Sequence, residues 1–366
     1  MIPAMTHKHV MMSGAFPVSI LALRYRGLTL RVCTRPPWEV APSARRNSIG
    51  LTRSVESGGE IVRTGFFLPQ IGPAASPRAV AQVAQHAESL GYDSVWVTDR
   101  LLYPLNPQTP YPATPDGSLP DVYKHVLDPL QTLTFVAAGT RRIALGTSVL
   151  DMPFYNPVLL ARQLTTVDVL SGGRLRVGFG QGWSKDEYDA VGISPQGLGR
   201  RADEFLQVLK TIWTSDPVEF HGRYFHVPGS IIKPKPVQKP HPPIYLAAYS
   251  PGALKRAATM ANGWHPVGVP LEGMQQMIAS LREMARGAGR DPGALEIVVR
   301  ANLAITPRPL GKERSIFVGA RDEIQSDIQA VRALGAHELV FDATFSPGVE
   351  TEGDFLKIAE EMRRIV

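Results

Sequence analysis

A single cysteine, Cys33, stands in 366 residues. One thiol cannot build an intrachain disulfide framework, so stability has to come from core burial, and the usage fits a reducing cytoplasm. Long apolar runs are equally scarce. Val10 to Leu23 is moderately apolar, but its 14 residues fall short of the roughly 20 that a membrane-spanning helix needs. The same stretch lacks the small-residue cleavage site of a signal peptide. No His-x-His pair or carboxylate cluster marks the end of any strand-like segment, which argues against a metal-dependent hydrolase.

Excess charge is missing from most of the chain as well. Residues 1–60 carry Lys8, Arg24, Arg26, Arg31, Arg35, Arg45, Arg46 and Arg53 against Glu39, Glu56 and Glu60, which is +5 of the total +6. The remaining 306 residues are close to neutral, so the body has no basic footprint for a nucleic acid. The basic tail has no periodicity, and its prolines and serines favour irregular structure. Residues 1–60 are therefore read as a disordered extension, or the product of an upstream start, and 61–366 as one domain. The 44% apolar content allows a large core.

From residue 61 a regular alternation is present. Ile61–Leu68, Ser94–Val97, Ile143–Val149, Arg174–Phe179, Ile244–Ala247, Gly263–Val267, Ile297–Ile305 and Leu339–Asp342 read as eight buried strands. Between them lie helical patterns with their own punctuation. Ser76-Pro77, Asn156-Pro157 and Ser250-Pro251 are cap-plus-proline starts, and Gly91 is a C′ stop. Further helices are expected near 271–287, 321–334 and 352–365, with a proline- and aromatic-rich insertion at about 215–243. This predicts an α/β fold, a (β/α)8 TIM barrel with insertions in its carboxyl-terminal-face loops, ahead of a doubly wound sheet.

Barrel chemistry sits at the carboxyl ends of the strands. The longest rim loop, 99–128, has prolines at 104, 107, 110, 112, 115 and 120 and reads as a binding loop or lid. Gly178, Gly180 and Gly182 alternate at the end of the fourth strand, where backbone can approach a flat or anionic ligand; tight strand–helix packing is the other reading. They do not form a dinucleotide fingerprint, because no acidic residue follows at the right place.

These rim residues, in this order, resemble the luciferase-like monooxygenase superfamily, and within it the actinobacterial F420-dependent oxidoreductases. The resemblance rests on Gly91 to Asp99, Leu145 to Leu150, Asn156-Pro157 and Leu170 to Trp183, with a looser match at Ile244 to Ala248. It covers 61–366 and none of 1–60. It implies a non-proline cis peptide at Ser148-Val149, inside a bulge on the third strand that bends a three-ring cofactor. Thr147, Ser148, Val149, Gly180, Gln181, Gly182 and Trp183 would then line the ring, with Trp183 either against a ring face or in the core. Tyr249, Ser250, Pro251 and Gly252 would hold the cofactor phosphate at a helix start, where a plain N-cap is the alternative.

Asp99 and Arg100 end the second strand, where the family usually carries Asp-His or Glu-His. Arg is a permanent cation and a poor general acid, so Arg100 is expected either to clamp an acidic substrate or the anionic reduced deazaflavin, or to serve with Asp99 in packing the rim. His125, His226, His241 and His265 are other candidate acids, read as loop or hairpin residues. Lys185, Arg200 and Arg201 are candidates for the polyglutamate tail of F420. The resemblance implies hydride transfer between F420 and a small organic substrate, with catalytic Asp99, Arg100 and Trp183. FMN with O2, or a silent flavin-binding barrel, are the alternatives. A homodimer and a reductase supplying reduced cofactor are the expected partners.

Overall fold

The computed structural model describes residues 62–114 and 116–366, together with two short strands, Arg24–Tyr25 and Leu28–Thr29, that pair antiparallel. The chain divides into the units Met1–Gly59 and Glu60–Val366. Apart from those two strands, residues 1–60, for which disorder is expected, lie outside the described residues, and Cys33 with them.

In the second unit the alternation closes on itself. Parallel strands β1 (Arg63–Phe67), β2 (Ser94–Val97), β3 (Ala144–Thr147), β4 (Leu175–Gly180), β5 (Ile244–Leu246), β6 (Gly263–Trp264), β7 (Glu296–Asn302) and β8 (Glu338–Asp342) pair in that order, and β8 returns to β1. The fold is an eight-stranded TIM barrel. Around it run α1 (Pro77–Ser89), α2 (Pro129–Gly139), α3 (Pro157–Ser171), α4 (Lys185–Ala190), α5 (Leu198–Thr214), α6 (Pro251–Met260), α7 (Leu271–Gly287), α8 (Arg321–Ala333) and α9 (Glu352–Ile365). Helices α1, α3 and α6 begin as their sequences predict, with Ser76, Asn156 and Ser250 accepting backbone N–H bonds and proline at the next position.

Two helices have no counterpart in the sequence reading. Helix α2 starts at Asp128-Pro129 and buries Leu130, Leu133, Val136 and Ala137. It is apolar on most sides, so no amphipathic stripe marks it. Helix α4 has 6 residues, too few for a period to show. The insertion at 215–243 contains an antiparallel hairpin, Val218–His221 with His226–Ser230. It follows a helix and precedes a strand, so it belongs to the amino-terminal face, away from the rim where chemistry is expected.

The barrel interior is filled in tiers. At the amino end, buried Glu338 contacts Arg63 and Arg176, and Arg63 also pairs with Glu296 at 2.8 Å. Above them Phe67, Trp96, Tyr245, Val298 and Val340 form an apolar plug. Trp96 lies across the axis, where only glycine leaves room beside it: a Cβ at Gly146 would sit 2.2 Å from the indole.

Strand β3 breaks where the bulge is expected. Gly146 aligns with Arg176 and Leu150 with Phe179, so four residue steps on one strand face three on the other. The extra residue falls at Ser148-Val149, whose peptide is cis. Opposite, Thr147 Oγ1 accepts from Gly178 N–H and donates to Gly178 O, each at 2.9 Å. A Cβ at Gly178 would lie 2.1 Å from Thr147 O. Gly178→Ala is therefore expected to cost about 2–4 kcal/mol, read as a lower denaturation midpoint. Gly252→Ala, where nothing lies within 4 Å of a new Cβ, should stay within about 0.5 kcal/mol of the parent.

Candidate active site

The bulge sets Ser148 at the centre of the mouth. Its N–H donates to Val97 O at 2.7 Å. Its carbonyl, part of the cis peptide, accepts from Arg300 Nη1 at 2.8 Å, and its hydroxyl lies 2.7 Å from His265 Nε2. The other ring nitrogen of His265 lies 2.6 Å from Val298 O, which can only accept. Nδ1 therefore carries the proton and Nε2 accepts from the Ser148 hydroxyl. Burial, reinforced by the Arg300 charge, pulls the imidazole down to about 4, so His265 is neutral. It stacks on Trp96 at 5.1 Å between centroids. Arg300 itself is held by Asp342 through Nε and Nη2, at 3.1 and 2.5 Å, and lies 4.2 Å over the ring of Phe67.

Beside this floor lies a group of carboxyls at the ends of β2, β3 and β4. Asp99 Oδ2 accepts from the Tyr155 hydroxyl at 2.8 Å. Burial pushes the Asp99 carboxyl up to about 6, and Glu187 adds to the shift while the Tyr155 bond opposes it. Asp151 keeps a window to solvent, yet crowding by protein and then the charges of Asp99 and Glu187 hold it well above the usual carboxylate range. Glu187 on α4 is buried, raised for the same reason, and accepts from Leu101 N–H at 2.8 Å. Arg100 reaches Glu187 at 3.3 Å and lies 4.6 Å over Trp183 and 5.4 Å over Tyr123.

The sequence-expected residues thus fall into distinct places. Asp99, Arg100, Ser148, Val149, Gly180 and Trp183 come together around the bulge, but Asp99 and Arg100 do not pair with each other. Thr147 turns its hydroxyl into the β4 ladder. Trp183 packs edge-on to Tyr111 at 5.3 Å, under the proline-rich loop. Gly182 has φ +74°, a conformation glycine takes freely. Tyr249 is half-exposed and bonds the backbone of Val267. Ser250, Pro251 and Gly252 present an exposed helix start. Lys185 pairs with Asp189, and Arg201 lies over Phe225 with its Nε unpartnered among the described residues.

His265 stands in the loop just past β6, as expected, but buried beneath the mouth; His226 is in the hairpin as expected. Arg300, Asp151, Tyr155 and Glu187 escaped the sequence reading, and Asp342 was legible there only as the end of the eighth strand. A signal existed for two of them: charge inside the apolar strands Glu296–Asn302 and Glu338–Asp342.

The residues present fit a flat cofactor. A Cβ at Gly180 would lie 2.6 Å from Val149 Cγ2, so glycine keeps the surface beside the bulge low. Gln181 Oε1 and Arg100 Nε and Nη2 are buried with no partner among the described residues.

The raised Asp99 carboxyl gives a pH signature. Its stabilising contribution is full below the unfolded value near 4 and is lost as pH climbs through about 6. The thermal midpoint of Asp99→Asn should therefore rise relative to the parent between pH 4 and pH 7. Parallel curves across that window would show that Asp99 ionises normally.

Comparison with known proteins agrees with this geometry. The Luciferase-like monooxygenase family matches residues 59–342. An F420-dependent glucose-6-phosphate dehydrogenase of Kineococcus radiotolerans is 31% identical over 242 residues, 64% of this chain and 66% of that protein. An FMNH2-dependent dimethylsulfone monooxygenase of Pseudomonas putida is 30% identical over 223 residues, 60% of this chain and 59% of that protein. The fold of monooxygenase RslO1 from Streptomyces bottropensis superposes with a TM-score of 0.68 at 22% identity, covering 83% of this chain and 98% of that one. The chain belongs to the luciferase-like monooxygenase family and is an oxidoreductase of that family, whose members among its relatives depend on F420 or FMN.

Proposed function

We propose that this chain is an F420-dependent oxidoreductase that moves a hydride between the deazaflavin and a small organic molecule. The observation that carries the reading is Asp99, a protonatable carboxyl at the end of β2 beside the bulge. Moving hydride to or from a carbon–oxygen bond requires a matched proton, and a carboxyl near 6 holds or releases one at neutral pH.

Bound F420 supplies a two-electron carrier that gives or takes hydride at ring carbon 5. Ser148, Val149, Gly180, Gln181 and Gly182 would hold the ring, and the amides at the start of α6, from Ser250 to Gly252, suit the phosphate. Tyr155 donates to Asp99 Oδ2 and fixes the carboxyl plane, which leaves Oδ1 for the proton. Arg100, with two unpartnered nitrogens, offers an anion a bidentate clamp beside the Trp183 ring. The loop 99–128 excludes water from the mouth. The same proposal includes a homodimer, a cytoplasmic setting and a reductase that renews reduced cofactor.

Titration with F420 and with FMN, followed by fluorescence quenching, and then turnover assays in the absence and in the presence of oxygen, tests the reading. Quenching by F420 and reoxidation of reduced F420 by a carbonyl substrate panel, with no oxygen uptake, is expected. Asp99→Asn should lower kcat at least tenfold with a smaller change in cofactor affinity. Tight FMN binding with oxygen consumption, and no response to F420, would replace this function with flavin monooxygenation.

A further inference from the structure

On the amino-terminal face, away from the mouth, the hairpin Val218–His221 with His226–Ser230 sets two histidines opposite each other. His221 and His226 are cross-strand partners, both exposed, with ring centroids 4.6 Å apart. Their Nδ1 atoms face one another at 2.9 Å. Behind the pair, Glu219 Oε1 lies 2.7 Å from His221 Nε2. An ionised carboxylate can only accept, so in the neutral ring Nε2 carries the His221 proton and Nδ1 turns its lone pair toward His226.

The turn that brings the pair together is anchored. Gly222 N–H donates to Phe225 O at 2.9 Å, and the Arg223 and Tyr224 N–H groups both donate to Glu204 on α5, at 3.1 and 2.8 Å. Phe225 is buried edge-on to Phe205 at 6.1 Å. The cation of the turn, Arg223, lies over the Tyr224 ring at 5.6 Å. Backbone and packing that owe nothing to the imidazoles therefore hold them in register, which lowers the ordering cost of any ligand they share.

Nitrogens at this separation have the bite of a chelate. Two imidazole nitrogens, each about 2.0–2.1 Å from one ion, stand about 2.9 Å apart at a right angle and about 3.3 Å apart at the tetrahedral angle. Imidazole favours zinc, nickel and copper, whereas magnesium and calcium take oxygen ligands. A carboxylate on the far nitrogen is the outer partner that fixes a metal-bound imidazole and raises its basicity, and Glu219 stands in that position. Among the described residues no three or more His, Cys, Asp or Glu side chains are arranged to share one ion. Two nitrogens and water therefore make up the coordination.

We propose that His221 and His226 chelate one divalent transition cation of the zinc, nickel and copper class through their Nδ1 atoms, with Glu219 bonded to the back of His221. The ion takes the place of the proton that the two rings share. That proton moves from Nδ1 of His226 to its Nε2 through solvent, so both rings bind as neutral imidazoles. The site is independent of the cofactor reading, because it lies on the opposite face of the barrel from the mouth.

Calorimetric titration of the full chain with Zn2+ and with Mg2+ tests the site. His7 and His9 offer a second pair of imidazoles in the sequence, so the double variant His7→Ala, His9→Ala is titrated beside the parent. A Zn2+ binding event that survives in that variant is expected, with no response to Mg2+. His226→Ala should weaken this event at least tenfold, and Glu219→Gln about tenfold. Both side chains are exposed, so neither substitution disturbs the core. With Cu2+ in the same background, the electron paramagnetic resonance spectrum should show two nitrogen ligands, and fewer once His226→Ala is added. Zn2+ binding that disappears with His7 and His9, or that is unchanged in His226→Ala, would overturn the assignment, as would Mg2+ binding as tightly as Zn2+.

Discussion

A nearly buried cation organises the mouth of this barrel. Arg300 is buried near the axis, where an unpaired guanidinium could not persist. Asp342 neutralises it, the Phe67 ring supports it from one side, and its remaining reach goes to the Ser148 carbonyl. That one contact ties β7 and β8 to the bulge of β3 on the far side of the barrel. Burial keeps His265 neutral and the same charge adds to the effect, and a neutral His265 can accept from the Ser148 hydroxyl where an imidazolium could not. Ser148 is consequently fixed at its amide, carbonyl and side chain at once.

The constraint propagates downward as well. Ser148 faces Arg300 because β3 carries one residue more than β4 between residues 146 and 150. That surplus fits because Gly178 lets Thr147 approach its backbone, and because Gly146 gives Trp96 room to cross the axis beneath. The glycines of β3 and β4 are therefore packing devices first. They shape the floor on which a planar molecule can lie, and the unpartnered atoms of Gln181 and Arg100 stand at its margin.

Much of this architecture was legible in the sequence, for physical reasons that differ by element. Parallel strands are buried on both faces and read as short apolar runs, so all eight were visible. Helix starts with a capping side chain followed by proline are local events, and Ser76, Asn156 and Ser250 behave as their neighbours dictate. The polar layer was not legible. Ser148, His265, Arg300 and Asp342 meet from strands separated by up to 194 positions, and nothing local to any of them announces the other three. Arg100 shows the same limit: its partner Glu187 rides on a helix of 6 residues that leaves no periodic trace.

The lower end of the barrel has a bearing on traffic. Arg63 and Arg176, interlocked with Glu296 and Glu338 under the aromatic plug, form a stopper of opposite charges at the amino-terminal end. A vessel corked at its base has a single doorway. Whatever reaches the floor of the mouth therefore comes by the upper rim.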